Sequence, residues 1–114
     1  MIAVDDHQAI RAYVATWVEK TGIAAVVDVC GDARSALAAC HELLPDMVLC
    51  DMHMPYVDGL GFIELLERAG LEIPVLLFSA HAVDSFTDRA VLQKTATLQE
   101  LHAAILLCVN GTSV

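Results

Sequence analysis

The chain has 114 residues, enough for one domain but not for two. Apolar residues make up 57% of it, which allows one substantial core, but no apolar run approaches the roughly 20 residues of a membrane span. The formal net charge of −9 argues against a direct grip on a nucleic acid backbone.

The first half of the chain predicts two strand–helix pairs. Residues 2–4 form a short apolar strand that ends on Asp5 and Asp6, and a helical period then runs from residue 7 to residue 20, where Gly22 stops it. The predicted buried face of this helix consists of Ile10, Tyr13, Val14, Trp17 and Val18. Residues 23–30 predict a second strand, and a second helix begins at Gly31 and Asp32 and ends at Pro45. Its predicted apolar stripe consists of Ala36, Leu37, Cys40, Leu43 and Leu44.

The second half repeats the alternation. Residues 46–51, 73–79 and 89–94 predict strands three, four and five. A helix is predicted over residues 59–69, with Gly70 as its C-terminal cap. Thr97 and Glu100 have capping-box spacing and open a last helix. Its predicted inward residues are Leu98, Leu101, Ile105 and Cys108.

The polar residues at the strand ends are the candidate functional residues. Apolar strands that alternate with amphipathic helices indicate a parallel sheet covered on both faces. In such sheets ligands bind outside the carboxyl ends of the strands. We therefore expect one edge of the sheet to collect the residues that follow or end four strands: Asp5, Asp6, Asp51, Ser79 and Lys94.

These groups suit phosphoryl transfer. Three carboxylates in one cleft repel each other unless a cation lies among them, and all-oxygen ligands suit Mg²⁺. A carboxylate can attack phosphorus and form an aspartyl phosphate. Lys94 and the Ser79 hydroxyl would then neutralise and hydrogen-bond the phosphoryl group.

The same residues carry a family resemblance. The pair Asp5-Asp6, the segment "DMHMPYVDG" around Asp51, Ser79 and Lys94 occur in the order and spacing of response regulator receiver domains, and the chain resembles that family over nearly its whole length. The resemblance implies a doubly wound, flavodoxin-like α/β fold, with a five-stranded parallel sheet in the order 2-1-3-4-5. It also implies a protein that catalyses only its own phosphorylation and dephosphorylation.

The resemblance assigns roles to individual residues. Asp51 would be the phosphoacceptor, and Mg²⁺ would be held by Asp6, Asp51 and the backbone carbonyl of His53, with Asp5 acting mainly through water. Ser79 and Lys94 would contact the phosphoryl group. The donor would be a phosphohistidine on a sensor histidine kinase or a histidine phosphotransfer protein.

The segments "DDHQAIR" and "LQKTATLQELHAAI" resemble the branch of the family that carries a helix-turn-helix output domain. In that branch the residue after the lysine is often not proline, and here it is Thr95. Residues 1–114 would be the receiver, with 109–114 as the start of a linker. DNA would be bound only through an output domain outside this chain, and a homodimer is an open alternative.

Two features depart from the family pattern. Only nine residues separate Ser79 from Arg89, whereas a crossover normally needs about a dozen or more, so the family's fourth helix is expected to be truncated or disordered. Residues 80–88 are predicted to form a mobile loop that leaves Ala82, Val83 and Phe86 open to solvent or a partner. Val91 replaces the aromatic residue that many receivers have three positions before the lysine.

Three functional alternatives remain. A haloacid-dehalogenase-like phosphatase also uses an aspartyl nucleophile, but places it after the first strand in a D-x-D pattern. A pseudo-receiver would act only through protein contacts. His7, His53 and His81 follow strand ends and could form a transition-metal site, although solvated histidines are the simpler interpretation.

Smaller features have structural interpretations. The four cysteines lie far apart without a C-x-x-C pair and are expected to be small buried hydrophobes. Met52 and Met54 are expected to pack at a strand end, and Tyr13 and Trp17 to belong to the core, with a partner face as the alternative. The N-terminus lacks a leader pattern, so a cytoplasmic protein without membrane association is expected.

Overall fold

The computed structural model describes residues 1–79 and 91–110. Five parallel strands form one sheet in the order β2-β1-β3-β4-β5, as the family resemblance implies. The strands are β1 (Ile2–Val4), β2 (Asp28–Cys30), β3 (Val48–Asp51), β4 (Val75–Ser79) and β5 (Val91–Gln93). The described helices are α1 (Gln8–Lys20), α2 (Ala33–Leu43), α3 (Gly59–Arg68) and α4 (Leu98–Val109).

Side chains cap three of these helices at their N-termini. Asp32 accepts a hydrogen bond from the Ser35 backbone at α2, and Asp58 accepts one from the Gly61 backbone at α3. At α4 the predicted capping box is present, because Thr97 and Glu100 exchange side-chain to backbone hydrogen bonds. These bonds satisfy backbone donors that a helix start leaves without an intrahelical partner.

The apolar core lies in two layers, one on each face of the sheet. Helices α2 and α3 pack over alternate residues of the central strands, among them Val4, Cys50 and Leu77. Helices α1 and α4 cover the opposite face, where Leu49, Phe78 and Leu92 lie. Period-two alternation of the strand residues between the layers is what a doubly wound sheet requires.

The second strand is shorter than predicted. Only residues 28–30 pair, although residues 23–30 have strand composition. The reason is that β2 lies at the sheet edge and pairs only with β1, which is three residues long. Residues 25 and 27 instead form hydrogen bonds with Met1. The Met1 ammonium donates to the Ala25 carbonyl, and the Val27 amide donates to the Met1 carbonyl.

Four residues predicted to be buried are exposed. Leu43 and Leu98 lie in the last turn of α2 and the first turn of α4, where a helix has packed neighbours on fewer sides. Leu44 lies beyond the last residue of α2, where it forms the C-terminal cap in a left-handed conformation. Tyr13 is 53% exposed, because its ring stacks on Trp17 from the solvent side, whereas Trp17 itself is buried.

Other predictions are confirmed. Gly70 has a φ of +73° after α3, and its amide bonds to the Glu67 carbonyl, as a C-terminal glycine cap requires. Met52 and Met54 are buried. Cys30, Cys40 and Cys50 are buried and Cys108 is partly buried, and burial raises the pKa of the Cys30 thiol to about 11.

The predicted short crossover, its exposed residues 82, 83 and 86, and His81 lie outside the described residues. Within the ranges 1–79 and 91–110, no helix is long and apolar enough to cross a membrane.

Candidate functional site

The polar strand ends meet at the carboxyl edge of the sheet. Asp5 follows β1, Asp51 ends β3, Ser79 ends β4 and Lys94 follows β5. The register keeps these ends level, since Val4 pairs with Cys50 and Ser79 with Gln93. Asp5, Asp51 and Ser79 are the buried polar residues of the described chain, at 3%, 3% and 1% exposure. A group of this kind is costly to bury unless its members find partners or a ligand.

Lys94 supplies positive charge to two of the carboxylates. Its Nζ atom lies 3.1 Å from Asp5 Oδ2 and 3.4 Å from Asp51 Oδ1. The Lys94 amide donates a 2.6 Å hydrogen bond to the Ser79 carbonyl, which fixes the start of the loop after β5. The lysine thus bridges the ends of β1 and β3 from the edge strand.

A row of aromatic rings lies behind Lys94. The Nζ atom lies 5.4 Å from the centre of the Phe78 ring, within the range of a cation–π interaction. Phe78 contacts Trp17 with ring centres 5.5 Å apart, and Trp17 stacks on Tyr13 at 5.8 Å. The row connects the half-buried Lys94 to the exposed face of α1.

The loop between β1 and α1 is held by contacts around Asp5. The Oδ1 atom of Asp5 accepts a 2.9 Å hydrogen bond from the His7 amide, and the Asp5 amide donates to the Cys30 carbonyl. The Arg11 guanidinium donates a 2.7 Å hydrogen bond to the Asp5 carbonyl from the first turn of α1. The position of the acidic pair therefore depends on both β2 and α1.

Asp51 lies in an environment that disfavours its charge. Burial raises the pKa of its carboxyl group, and the nearby charge of Asp5 adds to this. The His53 amide, which donates a 3.2 Å hydrogen bond to Oδ1, and the Lys94 ammonium act in the opposite direction. The raised pKa means that the ionised carboxylate is held at a cost in free energy.

Asp6 and His7 complete an acidic cleft. The Oδ1 atom of Asp6 is buried and, within the described part of the chain, accepts no hydrogen bond of good geometry. His7 Nδ1 lies 3.1 Å from that atom and 3.2 Å from Asp5 Oδ1. One ligand atom each from Asp5, Asp6, His7 and Asp51 lies within 4.8 Å of the others. Three carboxylates, one with a buried oxygen that lacks a hydrogen bond, form a donor set that fits a divalent cation.

Gly59 allows α3 to start close to Asp51. A Cβ atom at this position would lie 2.8 Å from the Asp51 carbonyl oxygen and 2.9 Å from Met52 Cα. The Gly59 amide donates a 2.9 Å hydrogen bond to the Met52 carbonyl. Glycine at the end of the segment "DMHMPYVDG" is therefore required by packing, because a larger residue would collide with the backbone of Asp51 and Met52.

The structure brings together most of the residues singled out from the sequence. One edge of the sheet holds Asp5, Asp6, Asp51, Ser79 and Lys94. His53 is exposed beside them, and its amide donates a hydrogen bond to Asp51 Oδ1. The contacts of Arg11, Phe78 and Gly59 were missed. A helical spacing of four residues from His7 to Arg11 was the available signal for Arg11, whereas nothing in the sequence pattern points to Phe78.

Comparisons with known proteins agree with this geometry. The family model for the response regulator receiver domain matches residues 1–106. The alkaline phosphatase synthesis transcriptional regulatory protein SphR of Synechococcus elongatus is 37% identical over 100 residues, which are 80% of this chain and 37% of that protein. The response regulator protein VraR of Staphylococcus aureus is 26% identical over 122 residues, covering 100% of this chain and 58% of that protein.

Solved structures show the same architecture. The signal receiver domain of NarL from Mycobacterium tuberculosis superimposes with a TM-score of 0.86 at 31% identity, covering 96% of this chain and 94% of that one. A LuxR-family regulator from Aurantimonas sp. SI85-9A1, at 24% identity and a TM-score of 0.88, supports the fold; the match covers 98% of this chain and 85% of that one. The chain spans 37% to 58% of the length of the curated relatives SphR and VraR. With strand order, acidic cleft and family match in agreement, the chain belongs to the response regulator receiver domain family.

Proposed function

We propose that this receiver domain accepts a phosphoryl group on Asp51, in a Mg²⁺-dependent transfer from a phosphohistidine. The observation that carries the proposal is the buried Asp51 carboxylate with Lys94 Nζ 3.4 Å from one of its oxygens, beside the Asp5–Asp6 pair. A nucleophilic carboxylate, a cation that neutralises the incoming group and an acidic metal cleft are the parts that aspartyl phosphorylation needs.

In the proposed step, a carboxylate oxygen of Asp51 attacks phosphorus while the bond from phosphorus to the donor imidazole nitrogen breaks. The electron pair of that bond stays with the imidazole, so the step needs no oxidant or reductant. Oδ1 accepts the His53 amide and lies 3.4 Å from Lys94 Nζ, and we assign the attack to Oδ2. Lys94 would remain beside the product as its counter-charge, with the Ser79 hydroxyl as a further hydrogen-bond donor.

Asp6, Asp51 and the His53 carbonyl would hold Mg²⁺, with Asp5 beside them. The ion would neutralise charge on the phosphoryl oxygens during transfer. Asp5 has a second task in this scheme, because its Oδ2 atom orients Lys94 at 3.1 Å. The raised pKa of Asp51 fits a carboxylate whose charge Lys94 and the His53 amide offset only in part before a metal ion binds.

The parent protein would use this transfer to switch an output. SphR is described as a transcriptional regulatory protein and VraR as a response regulator protein. We infer by likeness that a sensor histidine kinase or a histidine phosphotransfer protein is the donor. Residues 109–114 would begin a linker to a DNA-binding domain outside this chain, and the domain itself would turn over only its own phosphoryl group.

Intact-mass spectrometry with a small phosphodonor tests the proposal. The domain is incubated with acetyl phosphate or phosphoramidate and Mg²⁺, and one added phosphoryl group is expected. The adduct should be released by hydroxylamine, which cleaves acyl phosphates. Asp51→Asn should abolish the adduct, whereas Asp46→Asn, at an exposed aspartate outside the cleft, should retain it.

The alternatives give different results in the same assay. A pseudo-receiver that acts only through protein contacts gains no mass. A haloacid-dehalogenase-like hydrolase would release phosphate from the donor continuously and would not depend on Asp51 alone. An equal mass gain in Asp51→Asn would show that the phosphoacceptor is another residue.

A further inference from the structure

His7 belongs geometrically to the acidic cleft. Its Nδ1 atom lies 3.1 Å from Asp6 Oδ1 and 3.2 Å from Asp5 Oδ1. The two carboxylate oxygens of Asp5 contact different groups: Oδ2 faces the Lys94 ammonium and Oδ1 faces the His7 ring. The ring nitrogen is thus on the side of the cleft where Asp6 has its buried oxygen without a hydrogen bond among the described residues.

These separations match the spacing of ligands around one ion. Metal–ligand bonds of about 2.1 Å place neighbouring ligands about 3.0 Å apart in an octahedral site and about 3.4 Å apart in a tetrahedral one. The two distances from Nδ1, 3.1 and 3.2 Å, lie between these values. A divalent ion could therefore contact Nδ1 together with either carboxylate oxygen with little change in their separation.

Helix capping and apolar packing do not explain the position of the ring. His7 is the N-cap residue of α1, but its side chain makes no capping hydrogen bond. The ring is 67% exposed, so packing does not hold it over the carboxylates. Its Nδ1 atom is within hydrogen-bond distance of Asp5 Oδ1 and lies 3.1 Å from Asp6 Oδ1, and these contacts place the ring there.

We propose that His7 supplies a nitrogen ligand to the ion in this cleft and gives the site a preference for imidazole-binding transition ions over Mg²⁺. The inference rests on the metal site of the proposed function, and it adds a ligand and a metal class to that site. Imidazole suits Zn²⁺, Co²⁺, Ni²⁺ and Cu²⁺, whereas Mg²⁺ prefers oxygen ligands and retained water. A cleft of three carboxylates alone would show a smaller difference between these ions than a cleft with a ring nitrogen.

Metal binding to the purified domain tests this directly. Co²⁺ and Mg²⁺ dissociation constants are measured by calorimetry at a pH where imidazole is largely neutral, for the wild type, His7→Ala and His7→Gln. Both variants should bind Co²⁺ at least about tenfold more weakly and Mg²⁺ within about twofold of the wild type. The visible absorption of bound Co²⁺ should lose the contribution of its nitrogen ligand in both variants.

The matched control is His41→Ala, which removes an exposed imidazole from α2 and should leave Co²⁺ binding unchanged. An equal Co²⁺ loss in this control would overturn the assignment, since it would show unspecific binding by surface histidines. Unchanged Co²⁺ affinity in the His7 variants, or an equal loss for Co²⁺ and Mg²⁺, would also overturn it.

The outcome can be separated from that of the proposed function. The His7 variants are tested for phosphorylation with Mg²⁺ and acetyl phosphate in parallel. If Asp51 gains no phosphoryl group in the wild type but the Co²⁺ preference depends on His7, the metal inference stands and the proposed function fails. If phosphorylation proceeds while Co²⁺ binding is indifferent to His7, the reverse holds.

Discussion

The amino and carboxyl edges of the sheet, where the strands begin and end, differ in the residues that they bury and in the contacts of those residues. At the amino edge the ends of the strands are apolar and joined by backbone hydrogen bonds, such as Ile2 amide to Met47 carbonyl and Val48 amide to Pro74 carbonyl. Met1 and Met47 are buried there. At the carboxyl edge, three polar side chains are buried, those of Asp5, Asp51 and Ser79.

This difference separates stability from function. The amino edge is held mainly by apolar burial and backbone hydrogen bonds, so its contribution to the free energy of folding should depend little on the ions present. The carboxyl edge gathers like charges, and Lys94 alone offsets only part of them. The contribution of the carboxyl edge to stability should therefore depend on what binds there.

The largest expected loss of stability comes from the amino edge. Met47 is 1% exposed, and Met47→Ala should lower the free energy of unfolding by about 2–5 kcal/mol, because it removes buried apolar volume and leaves a cavity. Urea denaturation measures the change. Leu44→Ala, at a neighbouring leucine that is 65% exposed, is the control and should cost far less. Similar losses in the two variants would contradict the packing described for this edge.

Mg²⁺ should stabilise the carboxyl edge. A cation that binds only the folded state adds about 2.7 kcal/mol at a hundredfold excess over its dissociation constant. Millimolar Mg²⁺ is therefore expected to raise the melting temperature, and Asp6→Ala should remove most of the rise. Asp46→Ala changes an exposed aspartate outside the cleft and should keep it. An equal response in Asp6→Ala would mean that the ion binds elsewhere.

Gly59→Ala should weaken the junction between the carboxyl edge and α3. The added Cβ meets backbone atoms of Asp51 and Met52, which cannot rotate away, and the cost should be about 1–3 kcal/mol with slower phosphorylation. Gly61→Ala is the comparison, since its Cβ meets side-chain atoms of Val57 and Asp58 that can adjust and alanine favours the helix. Thermal melts and the phosphorylation rate measure both variants. The junction is looser than described if Gly59→Ala behaves like Gly61→Ala.

The smallest expected effect has the opposite sign. The pKa of Asp51 is raised in the folded state, so the folded protein holds more protons than the unfolded chain between the two pKa values, and stability falls as pH rises through this window. Asp51→Asn should therefore stabilise the metal-free domain at neutral pH, with no gain below about pH 4. Melts in EDTA across this range measure it. A loss of stability at neutral pH would show that the Lys94 contact outweighs the burial of the charge.

Much of the fold could be predicted because the relevant signals are local. Alternation of apolar runs and helical periods gives the parallel sheet, and polar residues at the end of each run give the carboxyl edge. The Thr97–Glu100 capping box and the C-terminal cap at Gly70 could be predicted for the same reason, since each depends only on residues close in the sequence.

What could not be predicted depends on contacts between distant segments. Residues 23–27 have strand composition, but the length of β1 limits how many residues of β2 can pair. Tyr13 has the spacing of a core residue, yet the interior beside Phe78 is already filled by Trp17. The place of His7 depends on the path of the loop after β1, which spacing along the chain does not contain.

The aromatic row behind Lys94 gives the domain its own optical reporter. Trp17 is the only tryptophan in the chain, and its ring contacts Phe78, over which the Lys94 ammonium lies. Indole fluorescence responds to nearby charge, so movement of Lys94 toward a phosphoryl group should change the emission of Trp17 without any attached dye. Tyr13→Phe would keep the stacked ring and its absorption while removing the exposed hydroxyl. The signal of that variant would report whether the site or the α1 surface governs the change.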